Sequence, residues 1–293
     1  MVSDRPSVKY SFPESVEEAF WLKKKYGERA RFIAGGTDLL LLIEQQHDCP
    51  EMLIDLTRVP PLQRLEEHNG QVTIGAAATY SEILAFDPIL TGAPFLARAI
   101  RTIGGVQIRN VATLVGNITN ASPAGDTLAP LYTLNAQVHI YGQGGMRSMP
   151  IEDFVLGVRR TALGPAELVT HVTFDLLGPG WQGRFDKLGL RRAMAIAVVS
   201  VALLFKVEDG LVSEARIALG AVAPTVIRAP EAESHLAGRS LDDATIETAA
   251  LLAHQAARPI DDVRSSAWYR KEAVRGLVRR GLREMRSQIE MQE

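Results

Sequence analysis

Cysteine is nearly absent: Cys49 is the only one in 293 residues. An intrachain disulfide, a multi-thiolate zinc site and a cysteine-ligated iron–sulfur cluster are therefore excluded for this chain by itself. The same scarcity points to a reducing, cytoplasmic setting. An excess of one charge is also missing, since 32 Lys+Arg stand against 34 Asp+Glu for a formal charge of −2. The electrostatic footprint of a dedicated nucleic-acid binder is thus lacking, and no nucleic-acid partner is expected. The longest nearly apolar run, Ala195 to Phe205, falls far short of the ~18 residues that span a bilayer. The start, MVSDRPSVKY, lacks the basic-then-apolar layout of a secretory leader, so neither leader nor membrane span is expected. His47, His68, His139, His171, His235 and His254 show no HxxxH or HExxH spacing, and no metal site is expected.

What is present suffices for two cores, because 46% of the residues are apolar and the length suits two domains. The first stretch reads as a helix over 13–26, with Ser11-x-x-Glu14 and Ser15-x-x-Glu18 as candidate capping boxes. A strand at 31–34 follows, then a Gly35-Gly36 break, then an apolar helix for which Thr37-Asp38 offers an N-cap. Between Met52 and Ala78, the alternation in QVTIG and the breakers Pro60-Pro61 and Asn69-Gly70 predict short strands joined by tight turns. Helices are expected at 79–86, 93–101 and 127–134, strands at 137–141 and 168–175, and a short helix near 151–156.

The Pro/Gly cluster Leu177-Gly-Pro-Gly-Trp181 marks the expected boundary between domains 1–177 and 178–293, the first with lobes of about 1–57 and 58–177. Gly178-x-Gly-x-x-Gly183 has dinucleotide-loop spacing but no surrounding βαβ unit, and reads as a linker. Beyond it, 198–207 and 211–219 flank Glu208-Asp209-Gly210 as a hairpin, and helices follow at 230–237, 242–257 and 267–288. The Asp242-Asp243 and Asp261-Asp262 pairs read as caps. The arginine-rich last helix reads as a solvated helix on its own domain, with docking to partner subunits as an alternative.

Two glycine-rich segments carry the chemistry. In FIAGGTDLL (32–40) a glycine pair lets the backbone approach a ligand, and successive amides form an anion nest suited to a diphosphate. In 102–126, Thr102-Ile-Gly-Gly105, Gly116-Asn117 and Ala124-Gly125-Asp126 interleave turns with Asn, Ser and Thr donors. Few acids and no histidines occur there, which suits a large, partly phosphorylated ligand better than a hydrolytic centre.

Taken together, FIAGGTDLL, TIGGVQIRNVATLVGN (102–117) and ASPAGDTLAPLYTLNA (121–136) resemble the FAD-binding medium subunits of the molybdenum hydroxylases, along the whole chain. This family includes flavoprotein subunits of carbon monoxide, nicotinate and aldehyde dehydrogenases and the flavin domain of xanthine dehydrogenase. The resemblance implies an α+β fold: a two-lobed FAD-binding domain of the PCMH type followed by a C-terminal sheet-and-helix domain. It implies that Phe32, Ile33, Ala34, Gly35, Gly36, Thr37, Asp38 and Leu39 wrap the FAD diphosphate. Ile103 would pack on the isoalloxazine, with Gly104 and Gly105 at its edge. Thr113, Gly116, Asn117 and Asp126 match polar contacts to the cofactor, and Leu168 and Lys187 match positions bordering the flavin. A lysine near the flavin N1–C2=O region favours the negative charge of the reduced ring.

By the same resemblance the partners are a large molybdopterin subunit and a small subunit with two [2Fe–2S] clusters, arranged as a dimer of heterotrimers. FAD here would collect their electrons for an external acceptor. NAD-reducing relatives carry an acid shortly after a basic pair; here Arg191-Arg192 is followed by Ala193-Met194-Ala195-Ile196. The acceptor stays open among NAD, a quinone, a cytochrome and oxygen. Two other readings stand beside this one: a stand-alone FAD oxidase and a flavin-free assembly subunit.

Overall fold

The computed structural model describes residues 8–291. The first lobe contains β1 (Lys9–Ser11), α1 (Val16–Tyr26), β2 (Ala30–Ile33), α2 (Leu39–Glu44) and β3 (Met52–Asp55), the strands forming a parallel sheet in the order β1-β3-β2. Ser15, not Ser11, caps α1, its hydroxyl accepting the Glu18 amide. Ser11 instead closes β1, a three-residue strand too short to leave a periodic signal.

The second lobe runs through β4 (Leu65–His68), β5 (Gln71–Gly75), α3 (Tyr80–Leu84), α4 (Asp87–Gly92), α5 (Pro94–Arg101), α6 (Val106–Arg109), α7 (Leu114–Asn120), α8 (Leu128–Thr133), β6 (Gln137–Gly142), β7 (Gly145–Pro150), α9 (Ile151–Phe154), β8 (Val155–Gly157), β9 (Arg160–Thr161) and β10 (Leu168–Asp175). Its antiparallel sheet has the order β4-β5-β10-β6-β7. The β4–β5 turn places Asn69 and Gly70 both at positive φ, as a two-residue hairpin requires. Two short helices, α6 and α7, interrupt the segment that the sequence marked only by its glycine turns.

The C-terminal part consists of β11 (Trp181–Gly189), β12 (Ala197–Glu208), β13 (Leu211–Gly220), β14 (Ile227–Arg228), α10 (Pro230–Leu236), α11 (Asp243–Ala256) and α12 (Ala267–Glu290). The strands form one antiparallel sheet in sequence order. The run read as a linker is thus a strand from Trp181 onward, with only 176–180 left between β10 and β11. Its glycines hid it, but Gly183 is where the Phe95 ring packs onto the strand.

This sheet is sandwiched, which accounts for the apolar run 195–205. Ala202 and Leu204 on β12 join Phe185 of β11 in the core shared with the first domain. Val199, Val201, Leu203 and Phe205 point the other way, into a second core with α10, α11 and α12. A strand buried on both faces reads as continuous hydrophobicity instead of alternation. The arginines of α12 are largely consumed within the domain: Arg275, Arg279 and Arg283 face Glu247 of α11, and Arg286 faces Asp243. Burial of Val274, Leu277, Val278 and Met285 fixes the inner face of that helix.

The outer side of β11 carries a buried ionic knot. Asp186 accepts from Arg184 at 2.5 Å and lies 3.2 Å from Arg98 of α5 and 3.4 Å from Arg280 of α12. Removing the carboxylate leaves the buried Arg184 guanidinium short of a partner. Asp186→Ala is expected to cost about 3 kcal/mol in urea unfolding; a change below about 1 kcal/mol would show that the knot is not structural.

Candidate functional site

The glycine loop of the first lobe emerges from β2 against the second lobe. A side chain on Gly35 would overlap the Val111 carbonyl oxygen, and Gly36 holds φ +68°. Both positions therefore need glycine, one for close approach of two backbones and the other for its dihedral. Among the described residues, the backbone amides of Gly35, Gly36, Thr37 and Asp38 find no protein acceptor. Four consecutive free donors beside a cleft make an anion nest. The expected cap at Thr37-Asp38 does not form: Asp38 sits at the N-cap of α2 without a side-chain cap bond, and its carboxylate accepts from Asn120 Nδ2 at 3.2 Å across the cleft.

The second lobe contributes the opposite wall. Arg109 Nη1 donates to the carbonyls of Ile103, at 2.8 Å, and Gly104, at 3.2 Å, fixing the Thr102–Gly105 turn. Thr113 caps α7 by accepting the Gly116 amide at 3.0 Å. The Asn117 carbonyl oxygen accepts from the Thr127 hydroxyl at 2.7 Å, which leaves the Asn117 NH₂ free to donate.

Between these walls and the C-terminal sheet lies a cleft of about 660 Å³. Asp38, Ile103, Gly104, Asn117, Asp126 and Lys187 line it among the residues to which the resemblance pointed. Phe32, Ile33, Ala34, Gly35, Gly36, Thr37, Leu39, Gly105, Thr113 and Gly116 are not among its lining residues, although in the chain Thr37 and Leu39 flank Asp38, Gly105 follows Gly104 and Gly116 precedes Asn117. Leu168 is buried in the first core at the start of β10 and does not line the cleft.

The third wall went unread in the sequence. Arg159, Met194 to Ala197, Ala221, Ala223, Pro224, Arg258 to Ile260, Asp262, Arg264 and Arg270 all reach the cleft. The Asp261 and Asp262 carboxylates accept amides of Ala267 and of Arg264 and Ser265 respectively, in the turn before α12, whose N-cap is Ser266 and not the acid pair that the sequence suggested. Asp262 also accepts from Arg270 Nη2 at 2.6 Å, while Arg270 Nη1 donates to the Ala221 carbonyl. Only the tertiary arrangement shows that this loop borders the cleft. The one available signal was the loop after Lys187, where Arg191 hooks the Met194 carbonyl at 2.6 Å. Arg159, Met194 and Ala221 all hold positive φ, non-glycine strain gathered at one site.

At the junction of the walls, Lys187 Nζ donates to Asp126 Oδ2 at 2.5 Å and approaches the Thr102 carbonyl at 3.4 Å. Both side chains are buried, at 9% and 7% exposure, so Lys187 is no surface lysine. Asp126 Oδ1 is buried without a partner. Burial, opposed by the Lys187 charge and by the hydrogen bonds from Lys187 and Thr102, pushes the Asp126 carboxyl up to about 6.

A diphosphate-linked, partly apolar cofactor fits these features. The free amides suit the diphosphate, Ile103, Met194 and Ile196 offer apolar contact, and the orphaned Asp126 oxygen and the Asn117 amide await polar partners. Among the described residues no cluster of three His, Cys, Asp or Glu side chains is placed to hold a metal. Among the described residues no helix is long and apolar enough to cross a membrane.

Comparison with known proteins follows the same lines. The sequence model of the FAD binding domain in molybdopterin dehydrogenase matches residues 6–174. That of the CO dehydrogenase flavoprotein C-terminal domain matches residues 185–285. The chain is 33% identical over 281 residues to the glyceraldehyde dehydrogenase medium chain of Sulfolobus acidocaldarius, covering 96% of this chain and 99% of that one. Among solved structures it is similar to a chain of carbon monoxide dehydrogenase from Hydrogenophaga pseudoflava, with a TM-score of 0.91, 31% identity and coverage of 94% and 96%. A chain of quinoline 2-oxidoreductase from Pseudomonas putida 86 gives a TM-score of 0.91 at 28% identity, covering 97% and 98%.

The raised Asp126 carboxyl has a consequence for stability. Between pH 4 and 6 the folded protein retains this proton while the unfolded chain, at the ordinary 3.8, has released it. Its contribution is therefore full at low pH and lost as pH rises to about 6. Asp126→Asn removes the titration, so in flavin-free protein its stability relative to wild type should climb over that range, by up to about 3 kcal/mol in urea unfolding. A flat difference contradicts the raised carboxyl.

Proposed function

Because the chain belongs to the FAD-binding medium subunits of the molybdenum hydroxylase family, we propose that it binds FAD in the three-walled cleft and serves as the electron-transfer subunit of a molybdopterin-dependent dehydrogenase. Its electrons would come from [2Fe–2S] clusters of a small partner subunit, fed in turn by a large molybdopterin subunit that oxidises the substrate. A dimer of such heterotrimers is the assembly that this reading implies. The observation that carries it is one cleft that brings Asp38, the last of four consecutive residues with free amides, together with the buried Lys187–Asp126 pair.

When bound, FAD accepts electrons singly and delivers them in pairs, which suits a relay between one-electron clusters and an external acceptor. The chain's own residues bind, orient and tune. The amides of Gly35, Gly36, Thr37 and Asp38 would hold the diphosphate, and Asn117 and Asp126 would meet polar groups of the cofactor. Ile103 would pack against the ring, and Lys187 would supply positive charge that favours the reduced form. Asp126 holds the Lys187 ammonium in place from below. No His, Cys, Tyr or Glu lines the cleft among the described residues. The loop Arg191 to Ile196 reaches the cleft from the side of Lys187, with Met194 and Ile196 exposed; an external acceptor would approach there.

The visible spectrum of the native complex, followed by release and identification of its chromophores, tests this reading. The expected result is flavin absorption over iron–sulfur bands, with FAD released and molybdenum present. FAD without iron or molybdenum points to the independent oxidase, and a colourless assembly points to a flavin-free scaffold.

A further inference from the structure

The cleft-facing side of the C-terminal sheet carries a buried hydroxyl that neither the fold nor the cofactor site has yet used. Register across β11, β12 and β13 places Lys187, Ser200 and Gly220 side by side. Two residues along the same strands, Phe185, Ala202 and Ala218 form the next row and belong to the core shared with the first domain. Alternation along each strand therefore turns Lys187 and Ser200 toward that domain as well.

Ser200 is wholly buried, and its Oγ has no hydrogen-bond partner. Gly220 is what makes room for it: a Cβ there would overlap the Ser200 oxygen and come within 3.7 Å of the Pro123 carbonyl oxygen. The hydroxyl thus lies over Gly220, beneath the loop 122–126 that leads to Asp126. That loop is tied to the sheet at its other end by the Ala221 amide, which donates to the Pro123 carbonyl at 2.8 Å.

Both choices cost stability. An unpaired buried hydroxyl forfeits its solvation, and a glycine within a strand loses more chain entropy than alanine does. A row of alanines would be the cheaper solution if packing were its only task. The neighbouring Lys187 has a matching deficit, since its ammonium carries three donors and meets only Asp126 Oδ2 and, at 3.4 Å, the Thr102 carbonyl. Directly opposed residues on neighbouring strands have Cβ atoms ~5 Å apart, within reach of a lysine stem.

We propose that Ser200 is a positioning residue for the Lys187 ammonium, its hydroxyl serving as a second acceptor beside Asp126 that holds the charge on the cleft side of the sheet when a flavin is bound. The inference rests on the reading of the cleft as the FAD site. Gly220 belongs to the same device, because any side chain there displaces the hydroxyl. Without Ser200 the ammonium is held only by Asp126 and the longer contact to the Thr102 carbonyl, and is less available to the reduced, more negative ring.

The test is a redox titration of the bound FAD in the native complex, comparing wild type with S200A, G220A and S200A/G220A. S200A deletes one oxygen from a buried site and should fold and retain FAD. At a fixed ambient potential, its ratio of reduced to oxidised flavin should fall about threefold relative to wild type. G220A should shift the ratio in the same direction, and the double variant should match S200A instead of adding to it. An S200A flavin that titrates as the wild type does overturns the proposal and leaves the FAD reading standing. A native complex without any flavin overturns both.

Discussion

The Lys187–Asp126 ion pair is the interaction on which the cleft depends, because it joins the two domains at the point where their walls meet. Lys187 comes from the first strand of the C-terminal sheet and Asp126 from the second lobe of the first domain. Two opposite charges buried together gain Coulomb energy but forfeit water, and such a pair is seldom a net source of stability. Here the forfeit is visible in the carboxyl, which is harder to ionise than in water despite the adjacent ammonium. An apolar junction would close the domains as well. The pair instead leaves a cation at the cleft, which would favour a cofactor that becomes negative on reduction, and an unpaired carboxylate oxygen that a hydroxyl donor of the ligand would satisfy.

The same logic extends outward from the pair. β11 serves both domains: Lys187 and Phe185 face the first, while Arg184 and Asp186 face α12 and tie the strand to it. The Asp186 knot fixes the strand from behind so that Lys187 need not be fixed by its own packing. Ala221 marks the other anchoring point, with its amide on Pro123, its carbonyl under Arg270 and its backbone in the left-handed region. A strained alanine at such a crossing persists because neighbours on three sides determine its conformation. Rigid walls of this kind hold donors in place before a ligand arrives, which reduces the ordering cost of binding.

Much of this was legible in the sequence because it was written in local chemistry. Asp209-Gly210 takes positive φ at both positions, as the hairpin reading required, and the glycine loops occur where backbones approach. The C-terminal helices were readable from their apolar spacing, and Asp242 accepts the Thr245 amide as its reading as a cap required, whereas Ser266, which caps the last helix, was not singled out. What stayed hidden depends on distant partners. The start of β11 looked like a linker because Gly183 accommodates Phe95, a residue far away in the chain. Asp38 looked like a helix cap, but Asn120 draws its carboxylate across the cleft. The third wall, from Arg258 to Arg270, carries ordinary capping chemistry whose placement beside the cleft no local pattern encodes. Ser200 was hidden within an apolar run, and only the strand register sets it opposite Lys187.

The central claim is that one FAD lies in the cleft with its diphosphate at the glycine loop of the first lobe and its ring beside Lys187 of the C-terminal sheet. The most direct measurement is experimental density for the cofactor in the native complex. The account predicts diphosphate density within hydrogen-bond distance of the amides of Gly35 to Asp38, and a ring packed on Ile103 with Lys187 Nζ at its edge. Density for the cofactor outside this cleft, or in it with the ring at the glycine loop, would contradict the account.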